Sequence, residues 1–242
     1  MLDENETWKE RVSQIHTGFT NFPALSLFDL FGTIDETVEP FLFLDGGSLP
    51  TDLALLRGLA RKFGKCSYFE IGTWRGESTA NMSPLTTECI TMDLPDDQKR
   101  AKGMSEEYIG QYAVLSKALP NVNHIKADSQ HFDFSSFNRK FDLIFIDGDH
   151  HYTSIANDTL NVFAHLVHER SIVVWHDAAY NPERARYEVV AAILDGLDPK
   201  LHPNLMYISN TLCTVYFPTP VNPTGDPLKS FKIRLQQSES GS

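Results

Sequence analysis

Five short apolar runs, separated in turn by helix-forming stretches, limit the folds open to this chain more than any other feature. They are Ser67 to Ile71, Glu88 to Met92, His124 to Ala127, Phe141 to Ile146 and Ser171 to Trp175. Between the last two, Ile155, Thr159, Phe163 and Leu166 share one helix face, and later Tyr187, Val190, Ala191 and Leu194 do the same. Such alternation predicts parallel strands joined by right-handed crossovers, because a helix must carry the chain back before the next strand can run the same way. Two further runs, Leu205 to Ile208 and Cys213 to Phe217, are separated only by residues 209–212. A link that short makes a hairpin, so the final strand is predicted antiparallel to its neighbour. The expected fold class is α/β, with a mostly parallel seven-stranded sheet, an antiparallel last strand and helices on both faces.

Composition narrows the function. The 242 residues are 41% hydrophobic, enough for one α/β domain with modest additions. No apolar run reaches the roughly 18 residues of a membrane span, and the first residues, Met1-Leu2-Asp3-Glu4-Asn5-Glu6, are acidic, unlike a signal peptide. Cys66, Cys89 and Cys213 are far apart and odd in number, which argues against a disulfide framework and for a cytoplasmic location. Cys66 and Cys89 fall in strand-like runs and read as small core residues. A net charge of −11 without a basic cluster argues against nucleic acid or an anionic membrane as partner, and favours a small neutral or cationic ligand. A homodimer is compatible with this composition. Residues 1–50 read as an N-terminal cap, in which Phe28, Phe31 and Phe41 belong to the core or stack on a ligand ring. Thr51-Asp52 can start a helix with Leu56, Leu59, Ala60 and Phe63 on one face, ended by Gly64. Residues 51–218 form the main domain. Residues 219–242, with Pro220, Pro223 and Pro227 and then an alternating stretch from Ser230 to Leu235, read as a tail or an extra edge strand.

The loop after the first strand carries the ligand signal. In Tyr68-Phe69-Glu70-Ile71-Gly72-Thr73-Trp74-Arg75-Gly76-Glu77-Ser78, an apolar run ends in an acid, then a glycine turn, then a second glycine where a helix can begin. Glycine allows a positive φ and close approach of a ligand to the main chain. The spacing is neither that of dinucleotide binders nor that of a P-loop, and an acid at the strand end opposes a diphosphate. Acids recur at later strand ends: Asp93, then Asp128-Ser129, Asp147 and Asp177. Singly, Asp93 or Asp128 could be a turn or helix cap. Together they point to the ligand-binding carboxyl edge of an open sheet.

These features resemble the class I S-adenosylmethionine-dependent methyltransferases over roughly residues 50 to 217, and so a Rossmann-like fold. Asp147-Gly148-Asp149-His150-His151-Tyr152 and His176-Asp177 are similar to the subgroup near catechol O-methyltransferases and the sugar O-methyltransferases of antibiotic pathways. The resemblance implies methyl transfer to an oxygen of a small hydroxylated acceptor. It implies cofactor contacts from Glu70 near the methionine end, Gly72, Thr73, Trp74, Gly76 and Ser78. Asp93 would hold the ribose, Asp128 and Ser129 the adenine edge, and Asp147 would lie beside the cofactor. For the chemistry it implies Asp147, Asp149 and His150, the last standing where catechol enzymes carry a lysine base. It also implies Mg²⁺ or Mn²⁺ on Asp147, His176 and Asp177, which would lower the pKa of an acceptor hydroxyl. Relatives often carry an acid or amide pair where this chain has His176-Asp177. They also carry a glycine-rich turn where it has Val167 to Ser171, at the sheet edge opposite the site. Two other classes compete: a metal-dependent hydrolase, suggested by the His-Asp pair, and a repurposed S-adenosylmethionine-binding domain such as the hydroxylase known on this scaffold.

Overall fold

A computed structural model describes residues 3–44, 46–221 and 231–236 of the chain. In order, the strands are β1 (Ala24–Leu25), β2 (Ile34–Val38), β3 (Cys66–Ile71), β4 (Thr86–Asp93), β5 (Val122–Lys126), β6 (Phe141–Ile146), β7 (Val167–Trp175), β8 (Ala179–Asn181), β9 (Arg184–Ala185), β10 (Leu205–Ile208), β11 (Thr214–Tyr216) and β12 (Phe231–Leu235). The helices are α1 (Glu4–Ile15), α2 (Leu27–Phe31), α3 (Pro50–Arg61), α4 (Glu77–Met82), α5 (Asp96–Ala101), α6 (Glu106–Gly110), α7 (Tyr152–His165) and α8 (Tyr187–Gly196).

The main sheet runs β1-β10-β11-β7-β6-β3-β4-β5. Strands β3 to β7 are mutually parallel, and β11 is antiparallel to both β7 and β10. The seven expected strands are therefore present, and the strand count is corrected to eight. The addition is β1, two residues of the N-terminal segment paired in parallel with β10. Its brevity hid it, since two residues carry no periodicity. The turn expected at Val167 to Ser171 is likewise part of β7.

Why the strands read as unbroken apolar runs is clear from their packing, for both faces are covered. Phe69, Ile71, Ile144, Ile146, Val173 and Trp175 pack on the side of α7 and α8. Their alternate neighbours Tyr68, Leu143, Phe145, Ile172 and Val174 pack on the side of α3, against Leu55, Leu56 and Leu59. All three cysteines are buried and free.

Beside this body, β12 pairs in parallel with β2. Glu36 of β2 is buried and ion-paired with Arg57 at 3.0 Å and Arg61 at 2.5 Å, both from α3. In the proline-rich tail, residues 222–230 and 237–242 lie outside the described residues. Among those described, no helix is long and apolar enough to cross a membrane.

The consequence for function is topological. Strand order reverses between β3 and β6, so the loops leaving their carboxyl ends diverge and open a crevice.

Candidate active site

That crevice is a cleft of about 620 Å³ lined from both sides of the reversal. Gly72 to Arg75, Asp93, Lys99 and Asp128 to Gln130 line one side, and Asp147 to His151, His176 and Asp177 the other. Gly46, Gly47 and Ser48 of the N-terminal segment also line it. That loop is tied down by Glu77, whose carboxylate accepts the Leu42 N–H at 2.7 Å.

Local geometry explains both glycines of the first loop. Gly72 has φ +104, and a Cβ there would lie 1.9 Å from the Asp147 carbonyl oxygen. Gly76 has φ +78, and a Cβ would meet the Ser116 hydroxyl at 2.1 Å. The first loop is thus packed against the β6 loop and the Ser116 turn. Thr73 lies under it, its hydroxyl 2.6 Å from that of Thr91. Trp74, also at positive φ, stacks on Tyr108 with ring centres 5.5 Å apart, and Arg75 covers it at 3.8 Å.

Glu70 departs from its expected place. It is fully buried, is absent from the cleft wall, and accepts hydroxyls from Tyr68 at 2.5 Å and from Ser78 and Thr79 at 3.0 Å each. It ties the loop and α4 together from beneath the cleft wall. Ser78, which lines the cleft, spends its proton on Glu70. Burial pushes the Glu70 carboxyl up to about 7 from an ordinary 4.5, against the opposing hydroxyl bonds. Between those values the folded protein holds a proton that the unfolded chain has released, so this group's contribution to stability falls as pH rises through that window. The full difference is about 3 kcal/mol, at about 1.4 kcal/mol per unit. The expected result is that wild type loses more melting temperature than Glu70→Gln between about pH 5 and pH 8. Parallel melting curves would show that Glu70 does not titrate there.

Asp93 lines the cleft and is more occupied than its sequence suggests. It accepts the N–H groups of Trp74 at 3.1 Å and Leu94 at 2.7 Å, and pairs with the buried Lys99 at 2.7 Å. A carboxylate has about four acceptor positions, so one remains toward the cleft. Asp128 caps its own turn, accepting the Gln130 N–H at 3.0 Å and facing the His131 ring at 2.9 Å. Ser129 and Gln130 complete this wall, with Gln130 held at 3.0 Å by the buried Asp158.

At the far side the structure brings together Asp147, His150, His176 and Asp177. Asp147 follows β6 and Asp177 follows β7, at φ +53, a conformation Asp tolerates better than most residues. The Nδ1 of His150 lies 2.8 Å from Asp177, leaving its Nε2 as the free nitrogen. Burial alone would lower the His150 pKa, but the Asp177 pair outweighs it and the pKa is raised. Asp149 also lines the cleft but is bonded to His151 at 2.5 Å and is outside this group.

Both ring nitrogens of His176 face carboxylates. Its Nε2 is 2.9 Å from Asp52, and its Nδ1 lies 3.1 Å from Asp147 and 3.2 Å from Asp177. Burial opposes its charge, yet Asp147, followed by Asp177 and Asp52, holds its pKa well above the ordinary value. The ring edge occupies the space between the two acids. The expected set of Asp147, His176 and Asp177 therefore does not fit a divalent ion. The oxygens that would bind one already face an imidazole.

Sequence reasoning missed Lys99, Gln130, Asp52 and the Gly46 to Ser48 loop as parts of the site. None carries a local motif, and Asp52 reads only as a helix start.

No curated protein matches the chain. Among solved structures, the O-methyltransferase NovP is 13% identical, with 70% of this chain and 80% of that one covered and a TM-score of 0.49. The apo TDP-rhamnose 3'-O-methyltransferase of calicheamicin biosynthesis is 16% identical over 73% and 80%, with a TM-score of 0.46. The N-methyltransferase NodS from Bradyrhizobium japonicum, bound to S-adenosyl-L-homocysteine, is 16% identical over 69% and 84%, with a TM-score of 0.45. Residues 69–178, from the first strand's acid to just beyond Asp177, match the family model described as a methyltransferase domain. That match spans the reversal point and every strand-end acid of the cleft, so residues 69–178 form a methyltransferase domain.

Proposed function

We propose that the chain transfers the methyl group of S-adenosylmethionine to an oxygen of a small hydroxylated acceptor. The observation that carries this reading is the division of one cleft. A backbone loop with Asp93 and the Asp128 to Gln130 turn form one half, and Asp147, His150 and Asp177 form the other. The first half offers what an amino acid joined to a nucleoside needs: main-chain groups of residues 72–76, a carboxylate acceptor for a ribose, and a polar turn for a base edge. Gly72, where no side chain fits, supports a cradle made of main chain.

When bound, the cofactor supplies an electrophilic methyl group on a sulfonium, and transfer is an in-line displacement that needs alignment and a nucleophilic oxygen. The protein's part is then to hold the acceptor and take its proton. His150 fills that role, its Nδ1 fixed by Asp177 and its Nε2 open to the cleft. Asp147, partly exposed beside it, accepts a hydrogen bond from the acceptor. Asp149 is engaged by His151 and is left without a part in the proton transfer.

The test is calorimetric titration with S-adenosylmethionine, followed by a screen for S-adenosylhomocysteine formation with polyol, sugar and phenolic acceptors. Saturable micromolar binding and product with at least one acceptor are expected. Binding without product from any acceptor would favour a repurposed cofactor-binding domain, and no binding would remove the reading.

A further inference from the structure

Asp52 lies in α3, outside the segment that matches the methyltransferase family, and is fully buried. Its position in the first turn of α3 explains one bond, from the Leu49 N–H at 2.7 Å. It does not explain the others. The same Oδ2 faces His176 Nε2 at 2.9 Å, while Oδ1 accepts the Leu212 N–H at 2.8 Å and lies 3.7 Å from the Cys213 thiol. Every neighbour of this carboxylate is a donor, and one of them is a ring whose other nitrogen reaches the active site.

The ring has little freedom. His176 is about 7% exposed, with Phe145 edge-on at 5.8 Å. With Nε2 pinned by Asp52, Nδ1 must point toward the carboxyl ends of β6 and β7. There it sits 3.1 Å from Asp147 Oδ1 and 3.2 Å from Asp177 Oδ2, in line for a straight hydrogen bond with neither. It lies between the two acids, where a cation bridging them would stand. The ring edge thus fills the space between the two acids.

We propose that Asp52 is a positioning residue of the active site, which orients the His176 ring so that this ring, in place of a divalent cation, bridges Asp147 and Asp177. The proposal rests on the methyltransferase reading for its functional meaning, though not for its geometry. Fixed this way, the two carboxylates keep their spacing with no ion bound. Asp177 is then oriented to hold His150, and Asp147 stays presented to the acceptor. The part of the chain that precedes the matched residues 69–178 thereby takes part in the site through α3, as well as through the Gly46 to Ser48 loop.

The experiment needs no acceptor. Histidine side chains of the full chain are observed by ¹⁵N-resolved NMR in wild type and in Asp52→Asn, with and without Mn²⁺, and melting and S-adenosylmethionine titration are run on the same samples. In wild type, a slowly exchanging, downfield Nε2–H resonance of His176 is expected, with no saturable Mn²⁺ binding up to millimolar concentration. In Asp52→Asn an amide N–H₂ must face donors, so the His176 resonances should move while those of His131 stay. Asn at this position would leave His176 unaffected if Asp52 were only a helix cap. Unchanged His176 signals in a folded variant would therefore overturn the proposal. Saturable Mn²⁺ binding to wild type that broadens the His150 and His176 signals would overturn it too, and this arm stands even if the variant does not fold. Failure to bind S-adenosylmethionine would count against the functional reading and leave the Asp52–His176 result intact.

Discussion

Replacing Gly72 with valine is expected to abolish binding of S-adenosylmethionine and to lower the melting temperature. The reason is backbone against backbone. A Cβ at this position would stand 1.9 Å from the Asp147 carbonyl oxygen, 2.5 Å from its carbonyl carbon and 2.9 Å from the Gly148 nitrogen, and φ is +104. No rotamer relieves such a contact, so either the β3 loop or the β6 loop must move. Strain of this kind ordinarily exceeds about 3 kcal/mol. The movement would disturb both halves of the cleft at once, because residues 72–75 line one half and Asp147 begins the other. Affinity loss of at least about a hundredfold is expected, equal to roughly 2.7 kcal/mol. Calorimetric titration and a melting curve check it, with Gly148→Ala as comparison. There the added Cβ meets only the Ile71 Cγ2 at 3.1 Å, a side-chain contact that can shift. A Gly72→Val protein with wild-type affinity would remove the assignment of this loop to the cofactor.

Asp147→Ala is expected to reduce methyl transfer by roughly 10²- to 10⁴-fold, the range typical of a lost proton-transfer or orienting group, while changing cofactor affinity far less. Asp147 is joined to the fold through its own backbone, its N–H donating to the Ile71 carbonyl at 2.8 Å, so truncating the side chain leaves the loop in place. What changes is the environment of His176. Its Nδ1 loses one of two carboxylates and is left facing Asp177 alone, which competes with that acid's hold on His150. Single-turnover formation of S-adenosylhomocysteine, measured beside the binding isotherm on the same preparation, separates the two effects. A fully active variant would dismiss Asp147 from the chemistry. A variant that lost affinity and turnover equally would make it a cofactor ligand only.

The two variants also show where sequence reasoning was sound for an incomplete reason. The loop glycines are legible because glycine after an apolar run signals a positive φ or a close approach. The sequence suggests that the approaching partner is the ligand, whereas at Gly72 it is the β6 backbone and at Gly76 the Ser116 side chain. Glu70 is a similar case. Its place at a strand end is visible in the chain. The side chain turns inward because Tyr68, Ser78, Thr79 and Thr91 supply hydroxyls there. Hydroxyl residues spread over two strands and a helix form no motif that can be recognised before folding.

By itself the sequence determined the elements and their order. Alternating apolar runs and helical faces dictate a parallel sheet because a continuous hydrophobic strand must be covered on both sides, and the four-residue link before Cys213 dictates a hairpin. Strand-end acids are legible for the same reason: a chain leaving the carboxyl edge of a sheet meets solvent or ligand. Only the tertiary structure decided what those acids face. Asp93 is met by Lys99, Asp149 turns away to His151, and Asp147 and Asp177 meet across one imidazole. That imidazole is held from behind by an aspartate of α3, far away in the chain. Periodicity records which side of an element is buried, whereas the direction of a buried charge depends on groups that folding alone brings within 3 Å or so of one another.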